Sequence, residues 1–251
     1  MTTEDFGDVR VMLMRFTVFC KTPRTLETDL FKRLTGTEPN QTTRDNGQSL
    51  LIEQGKHPEF KGGGLRVVQQ GARIDVVLEA ADNAAPTRIE DITFAPEMIL
   101  IPITVLANKV FSSHSEIVRI AFAANLVFSN EKGGALMALK RLLPHLSSDL
   151  ERASEFTYKL NRITDIDGLT VNRLSNWEIA RLFARAISAG QFVLAGMQAA
   201  MVGHDFGELL SLEVECNTDA ARTKPLEHSE VGRIFERLVH ESATIAKQGH
   251  I

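Results

Sequence analysis

Residues 154–186 read SEFTYKLNRITDIDGLTVNRLSNWEIARLFARA, and this stretch predicts a β-hairpin more clearly than any other part of the chain. Its Asp167-Gly168 pair lies between two alternating runs, which is the strongest short-range signal of a two-residue turn. A type I′ turn at this pair sets Ile166 opposite Leu169 and fixes every pair further along the two strands. The sequence therefore predicts one long strand on each side of the turn.

The predicted pairing sets Tyr158 opposite Trp177 and Arg162 opposite Arg173 on one face of the hairpin, because side chains alternate with period two. Two like charges directly opposite each other destabilise a sheet unless an anion lies between them. Guanidinium groups bind carboxylate or phosphate, and aromatic rings stack bases. With two further arginines of the same parity, the candidate residues for binding an anionic ligand or nucleic acid are Arg162, Arg173, Tyr158, Trp177, Arg181 and Arg185.

A structural explanation of the same residues stays open. Tyr158 and Trp177 would then pack beneath a helix, and both Arg162 and Arg173 would pair with nearby acids such as Asp165 or Glu178.

Composition narrows the function only slightly. The 251 residues are 43% hydrophobic and 24% charged, which is ordinary for a globular protein, and the net charge is −4. A protein that coats nucleic acid without specificity is usually strongly basic. The two cysteines, Cys20 and Cys216, belong to no metal-binding or redox motif and are predicted to be reduced and buried.

No segment predicts membrane contact. The N-terminal residues 1–10 lack the pattern of a secretory signal. The apolar run at 98–107 is shorter than the roughly 20 residues of a membrane span. We expect a soluble, cytoplasmic protein.

A faint internal repeat organises the rest of the chain. Residues 9–20, VRVMLMRFTVFC, align without a gap to residues 118–129, VRIAFAANLVFS, and each run predicts a strand. A short helical pattern follows each of them, at 25–34 and at 134–146.

Each half continues as a meander and ends in a helix. The later helix, 230–247, has Ser229 as its predicted N-cap and Gly249 at its end. The earlier helix, around 96–111, is the weaker prediction because Pro102 costs about 3 kcal/mol inside a helix. The predicted meander strands are 49–54, 65–70 and 73–80 in the first half, and 155–164, 169–185, 191–202 and 208–217 in the second.

These elements predict an α+β fold in which a strand-helix-meander-helix unit occurs twice. The halves, 1–113 and 114–251, would form one large antiparallel sheet with the helices packed on one face, as a single pseudo-symmetric globular unit. This element order resembles the duplicated topology of the TATA-binding protein and its structural relatives. The resemblance implies a fold only, since the DNA-wedging phenylalanine motif of that family has no match here.

Catalytic and metal signals are weak. The histidines are scattered, and His240-Glu241 lacks the second histidine of a zinc motif because Thr244 stands there. No catalytic residue, metal or cofactor is therefore predicted. Another set, Glu213, Glu215, Asp219 and His228, has the chemistry of acids and bases but is explained equally well as solvated charges.

Three classes of function stay open. The first and favoured class is a noncatalytic binding or assembly protein, a subunit of a larger complex, with a protein partner or a homo-oligomer. The second is a nucleic-acid-binding or processing subunit that uses the arginine and aromatic face. The third is an enzyme acting on a small anionic substrate, which would need a deep pocket beside Arg162.

Overall fold

The fold is that of a computed structural model, which describes residues 9–57, 60, 63–80, 88–114, 116–128, 134–146, 156–185 and 203–249. Within these residues the chain forms nine strands, four α-helices and one short 3-10 helix, which confirms a mixed α+β protein. In chain order the strands and α-helices are β1 Val9–Cys20, α1 Leu30–Thr35, β2 Gln41–Asp45, β3 Leu50–Lys56, β4 Gly64–Gln70, β5 Arg73–Glu79, α2 Pro96–Ser113, β6 Ile117–Phe128, α3 Gly134–Leu142, β7 Phe156–Ile166, β8 Leu169–Arg185, β9 Gly203–Thr218 and α4 His228–Gln248.

All nine strands belong to one antiparallel sheet with the order β2-β3-β4-β5-β1-β6-β9-β8-β7. The pair formed by β1 and β6 lies near its centre. Four described strands lie outside this pair on the β5 side and three on the β9 side. The large antiparallel sheet predicted from the sequence is therefore confirmed.

The core lies between the sheet and the helices. Phe16 of β1 lies 5.3 Å from Phe111 of α2 and 5.4 Å from Phe235 of α4, measured between ring centroids. Phe122 of β6 lies 6.0 Å from the same Phe235 ring. Because residues two apart share a face, these contacts define a helix face, and the intervening residues define the second face of the sheet.

Helix α2 is continuous from Pro96 to Ser113, although Pro102 lies inside it. A proline removes the hydrogen bond to the carbonyl four residues earlier, here that of Met98. Met98 is 57% exposed. Water can therefore reach this turn of the helix, which explains why the proline is tolerated.

Helix α4 begins at His228, so the predicted N-cap at Ser229 is wrong and Glu227 occupies the N-cap position. Gly249 ends the helix with a φ of 68°, as its position in the sequence predicted. Phe235 and Leu238 are fully buried, which confirms the face of this helix that packs on the sheet.

Some sequence predictions differ from the structure or lie outside its described residues. Helix α1 is shorter than the predicted 25–34, and β2 was not predicted because its residues are polar and all exposed. The predicted strand at 191–202 lies outside the described residues. Cys20 and Cys216 are buried and unpaired, as expected. Among the described residues no helix has the length and hydropathy of a membrane span.

Truncating Phe235 to Ala should lower the free energy of unfolding by about 3–5 kcal/mol, because the ring contacts three other phenylalanines across the core. Urea denaturation measures this change. The exposed neighbour Glu236 gives the control, since Glu236→Ala should change stability by less than about 0.5 kcal/mol. A loss below about 1 kcal/mol for Phe235→Ala would contradict the packing described here.

His114 follows α2 and is buried. Burial lowers the pKa of its imidazole, and the Arg24 guanidinium lowers it further, against the opposing effect of the hydrogen bond between Nδ1 and the Val110 carbonyl oxygen, 2.8 Å apart. The pKa of His114 in the folded protein therefore lies below its unfolded value of about 6.5. As the pH falls through the unfolded value, this histidine binds a proton in the unfolded chain more readily than in the folded chain. The free energy of unfolding therefore decreases.

We expect the free energy of unfolding to fall between pH 7.5 and pH 5.5 (about one unit either side of the ordinary histidine pKa). The substitution His114→Gln should flatten this dependence, whatever its effect on stability at neutral pH. Urea denaturation of both proteins at several pH values measures the two slopes. Equal slopes in the wild type and the variant would show that His114 does not titrate on unfolding.

Candidate binding groove

The hairpin at Asp167 and Gly168 has the predicted turn and register. Both residues have positive φ, 55° and 79°, as a type I′ turn requires. Ile166 pairs with Leu169, and the register runs without a shift to Phe156. The predicted geometry of β7 and β8 is therefore confirmed.

The two aromatic residues of the predicted site face the core. Tyr158 and Trp177 lie opposite each other, as predicted. Trp177 is 0% exposed, with its ring centroid 5.8 Å from that of Phe128, and the partly buried Tyr158 ring lies 5.9 Å from the His145 ring. The Trp177 ring therefore has no exposed face on which a base could stack, and it packs on the helix side as the structural explanation supposed.

The arginines of the predicted site differ in their surroundings. Arg173 lies opposite Arg162, and its Nε is 3.3 Å from a carboxylate oxygen of Glu241 in α4; both side chains of this pair are about one-seventh exposed, at 13% and 14%. Arg181 binds Asp205 of β9 through Nε and Nη2. Among the described residues none forms an ion pair with the exposed Arg162.

The sequence had indicated Asp165 or Glu178 as partners of Arg162 and Arg173; Arg173 pairs with Glu241 instead, and Arg162 pairs with neither acid. The side chain of Arg185 lies outside the described residues. Binding of an external anion by this set stays a prediction.

A double-mutant cycle measures the coupling of Arg173 and Glu241. We expect Arg173→Ala and Glu241→Ala each to destabilise the protein, with a coupling free energy of about 0.5–3 kcal/mol. The exposed Arg162→Ala is the control and should change stability by less than about 0.5 kcal/mol.

Thermal melts with and without a polyanion complete this experiment. No polyanion effect in the wild type, together with a ligand-independent loss of stability in Arg173→Ala, would exclude anion binding at this pair. A polyanion-dependent rise in Tm that both arginine variants lose would establish it.

The second face carries a polar network that the sequence reasoning missed. Glu215 of β9 accepts hydrogen bonds from Arg15 of β1 and from Asn217, each 3.0 Å long. Asn217 accepts in turn from Arg119 of β6, also at 3.0 Å. The alternation of polar and apolar residues in the central strands indicates a polar face. It does not show which side chains meet there, because β1, β6 and β9 are distant from one another in sequence.

Next to this network the Phe19 ring lies between two arginines. The guanidinium carbon of Arg119 is 4.6 Å from the ring centroid, and that of Arg73 is 5.7 Å from it. Arg73 is also paired with Asp75, which accepts a hydrogen bond from Thr17. The arginines at the centre of the second face are therefore held by the protein itself.

A groove crosses the second face beside the network. It consists of two adjoining cavities of about 270 Å³ and 230 Å³, which share Asn176 and Glu213 in their walls. Apolar walls come from Leu174 in the first cavity and from Val127 and Leu209 in the second. The groove therefore crosses four neighbouring strands, β6, β9, β8 and β7, and Met12 of β1 borders its second cavity.

The groove is acidic. Glu178, Glu213 and Glu215 line it, and Lys159 is the cationic side chain among the described residues of its walls. Glu215 is neutralised by Arg15 at 3.0 Å. The exposed Glu178 and Glu213 have no ion pair among the described residues, which leaves two uncompensated carboxylates in the groove.

Asn176 adds an unused acceptor between the two cavities. Its Oδ1 is buried and has no hydrogen-bond partner in the part of the chain that the structure describes. Leaving a buried acceptor unsatisfied costs about 1–3 kcal/mol. A ligand that brings an N–H or O–H donor to this position would remove that cost.

The structure separates the acid and base candidates Glu213, Glu215, Asp219 and His228. Glu213 and Glu215 line the groove. Asp219 accepts a hydrogen bond from the backbone N–H of Ala221 in the turn after β9, and His228 lines a different cavity near His114. The four residues therefore do not form one site.

A scan of the chain against models of protein families and a search of curated proteins found no match. Among the described residues no group of three or more potential metal ligands occurs.

Proposed function

We propose that the protein is a noncatalytic binding protein that holds a cationic, partly apolar segment of a partner protein in the groove of the second face. The observation that carries this proposal is the combination of two uncompensated carboxylates, Glu178 and Glu213, with apolar walls and the unsatisfied Asn176. Each of these features matches one chemical property of such a segment.

The apolar walls would provide most of the binding affinity, and the carboxylates would select for positively charged partners. Leu174 is 38% exposed, and a ligand that covers its side chain stabilises the complex by removing apolar surface from water. Charges at the rim of a binding site mainly raise the association rate and exclude partners of the same sign. Backbone or side-chain N–H groups of the bound segment would satisfy Asn176.

A protein segment fits this surface better than a nucleic acid does. The phosphates of a nucleic acid would be repelled by Glu178 and Glu213, and the central arginines of the same face are already bonded to Glu215, Asn217 and Asp75. The buried, unpaired cysteines are consistent with the reducing compartment expected for the protein.

We also propose that residues 1–113 and 114–251 are duplicated units. Supporting this, β1 and β6 are neighbours near the centre of the sheet, and each is followed by a helix, a meander and a second helix. A crystal structure tests the duplication. β1 should superpose on β6, and the helices and strands that follow β1 should superpose on those that follow β6.

A fluorescently labelled peptide that alternates lysine and leucine tests the groove. We expect the double substitution of Glu178 and Glu213 by Gln to weaken binding by about threefold to tenfold at low salt. The difference should shrink as salt is added, because exposed charges are screened. Fluorescence anisotropy measures the Kd of both proteins.

Glu236→Gln on the exposed face of α4 is the matched control, since it removes one carboxylate outside the groove. Equal affinities of the wild type and the Glu178/Glu213 variant for the peptide would contradict the proposal. A salt-sensitive gel shift with single-stranded RNA, in the absence of peptide binding, would favour the nucleic-acid class instead.

A further inference from the structure

Strand β7 forms one edge of the sheet. It pairs with β8 along all 11 of its residues without a register shift, and no other strand in the described part of the chain pairs with it. The other edge, β2, has only five residues. Long, regular edge strands present unpaired backbone groups that accept another strand, whereas short ones are protected.

The turn determines which backbone groups of β7 point outward. In a two-residue hairpin the residues that flank the turn, here Ile166 and Leu169, form a hydrogen-bonded pair. The backbone N–H and C=O groups of the even-numbered residues of β7 therefore bond to β8. The N–H and C=O groups of the opposite parity point away from the sheet, and they belong to Thr157, Lys159, Asn161, Ile163 and Asp165.

We propose that β7 pairs antiparallel with β7 of a second copy of this chain, around a two-fold axis at Asn161. A two-fold axis perpendicular to the sheet makes two identical edges antiparallel and keeps the helix faces on the same side. Asn161 is the middle residue of Phe156–Ile166, so this axis pairs the full length of both strands. The outward backbone groups then meet one another.

The side chains favour the same register. With the axis at Asn161, Lys159 lies opposite Ile163 of the second copy, and Thr157 lies opposite Asp165. The lysine stem would cover Ile163, which is 69% exposed in the single chain. An axis at Arg162 would instead set two guanidinium groups directly opposite each other, which destabilises strand pairing.

The test is the molar mass of the full chain in solution, measured by light scattering after gel filtration, with no peptide present. The wild type should be a dimer. Asn161→Pro should be a monomer, since proline removes a central outward N–H but is tolerated at an edge whose N–H faces away from the sheet. Asn161→Ala keeps the N–H and should remain a dimer. Circular dichroism melts confirm that each variant is folded.

A charge exchange tests the register. Ile163→Lys should weaken the dimer at least about tenfold, because it sets lysine opposite Lys159 of the second copy at two symmetric positions. Adding Lys159→Glu to the same chain should restore the dimer. A register with the axis elsewhere would not show this rescue.

A monomeric wild type at concentrations well above micromolar would overturn the proposal. A dimer that survives Asn161→Pro would overturn it as well. In that case Ile101→Asp, in the exposed apolar stripe of α2 formed by Met98, Ile101 and Val105, would identify the other dimerisation surface.

Discussion

The positive φ angles of Asp167 and Gly168 are the constraint on which the half of the sheet with the groove depends. They fix the register of β7 against β8, and the register decides which face each side chain occupies. A slip of one residue would move Glu178 into the core and Trp177 into the groove. The burial of Trp177 and the exposure of Glu178 are therefore two results of one turn.

Two polar side chains on the helix face of the sheet contact polar side chains of α4. Arg173 is placed there by its parity and meets Glu241 of α4. Cys216 lies on the same face in β9, where burial raises the pKa of its thiol to about 12 and Ser242 of α4 contacts it. Helix α4 therefore contacts Arg173 and Cys216 through Glu241 and Ser242, and it also packs on the phenylalanines of the sheet.

Local chemistry explains which features the sequence could predict. The Asp-Gly turn, the alternation in β8 and the apolar face of α4 are each encoded within a few residues, and the structure has them. Contacts between distant elements could not be predicted in the same way. Glu241 reaches Arg173 only because α4 crosses the sheet, and β2 carries no apolar signal because both of its faces are exposed at the edge.

The groove was not predictable for the same reason. Its walls combine residues of β6, β9, β8 and β7, and the pairing of β6 with β9 joins strands that are far apart in the chain. The sequence marked Glu213 and Glu215 as acidic residues, but one of them is neutralised by Arg15 and the other is not. The difference depends on the order of strands in the sheet.

The central arginines of the second face and its two carboxylates without an ion pair lie on different strands. Arg15, Arg73 and Arg119 lie on β1, β5 and β6, whereas Glu178 and Glu213 lie on β8 and β9. The ion pair of Arg15 with Glu215 stands at the boundary between them. Because ions screen exposed charges over about 10 Å, the proposed ligand would experience mainly the nearest charges, which are Glu178, Glu213 and Lys159. For the proposed ligand, the local field of the groove therefore matters more than the net charge of −4.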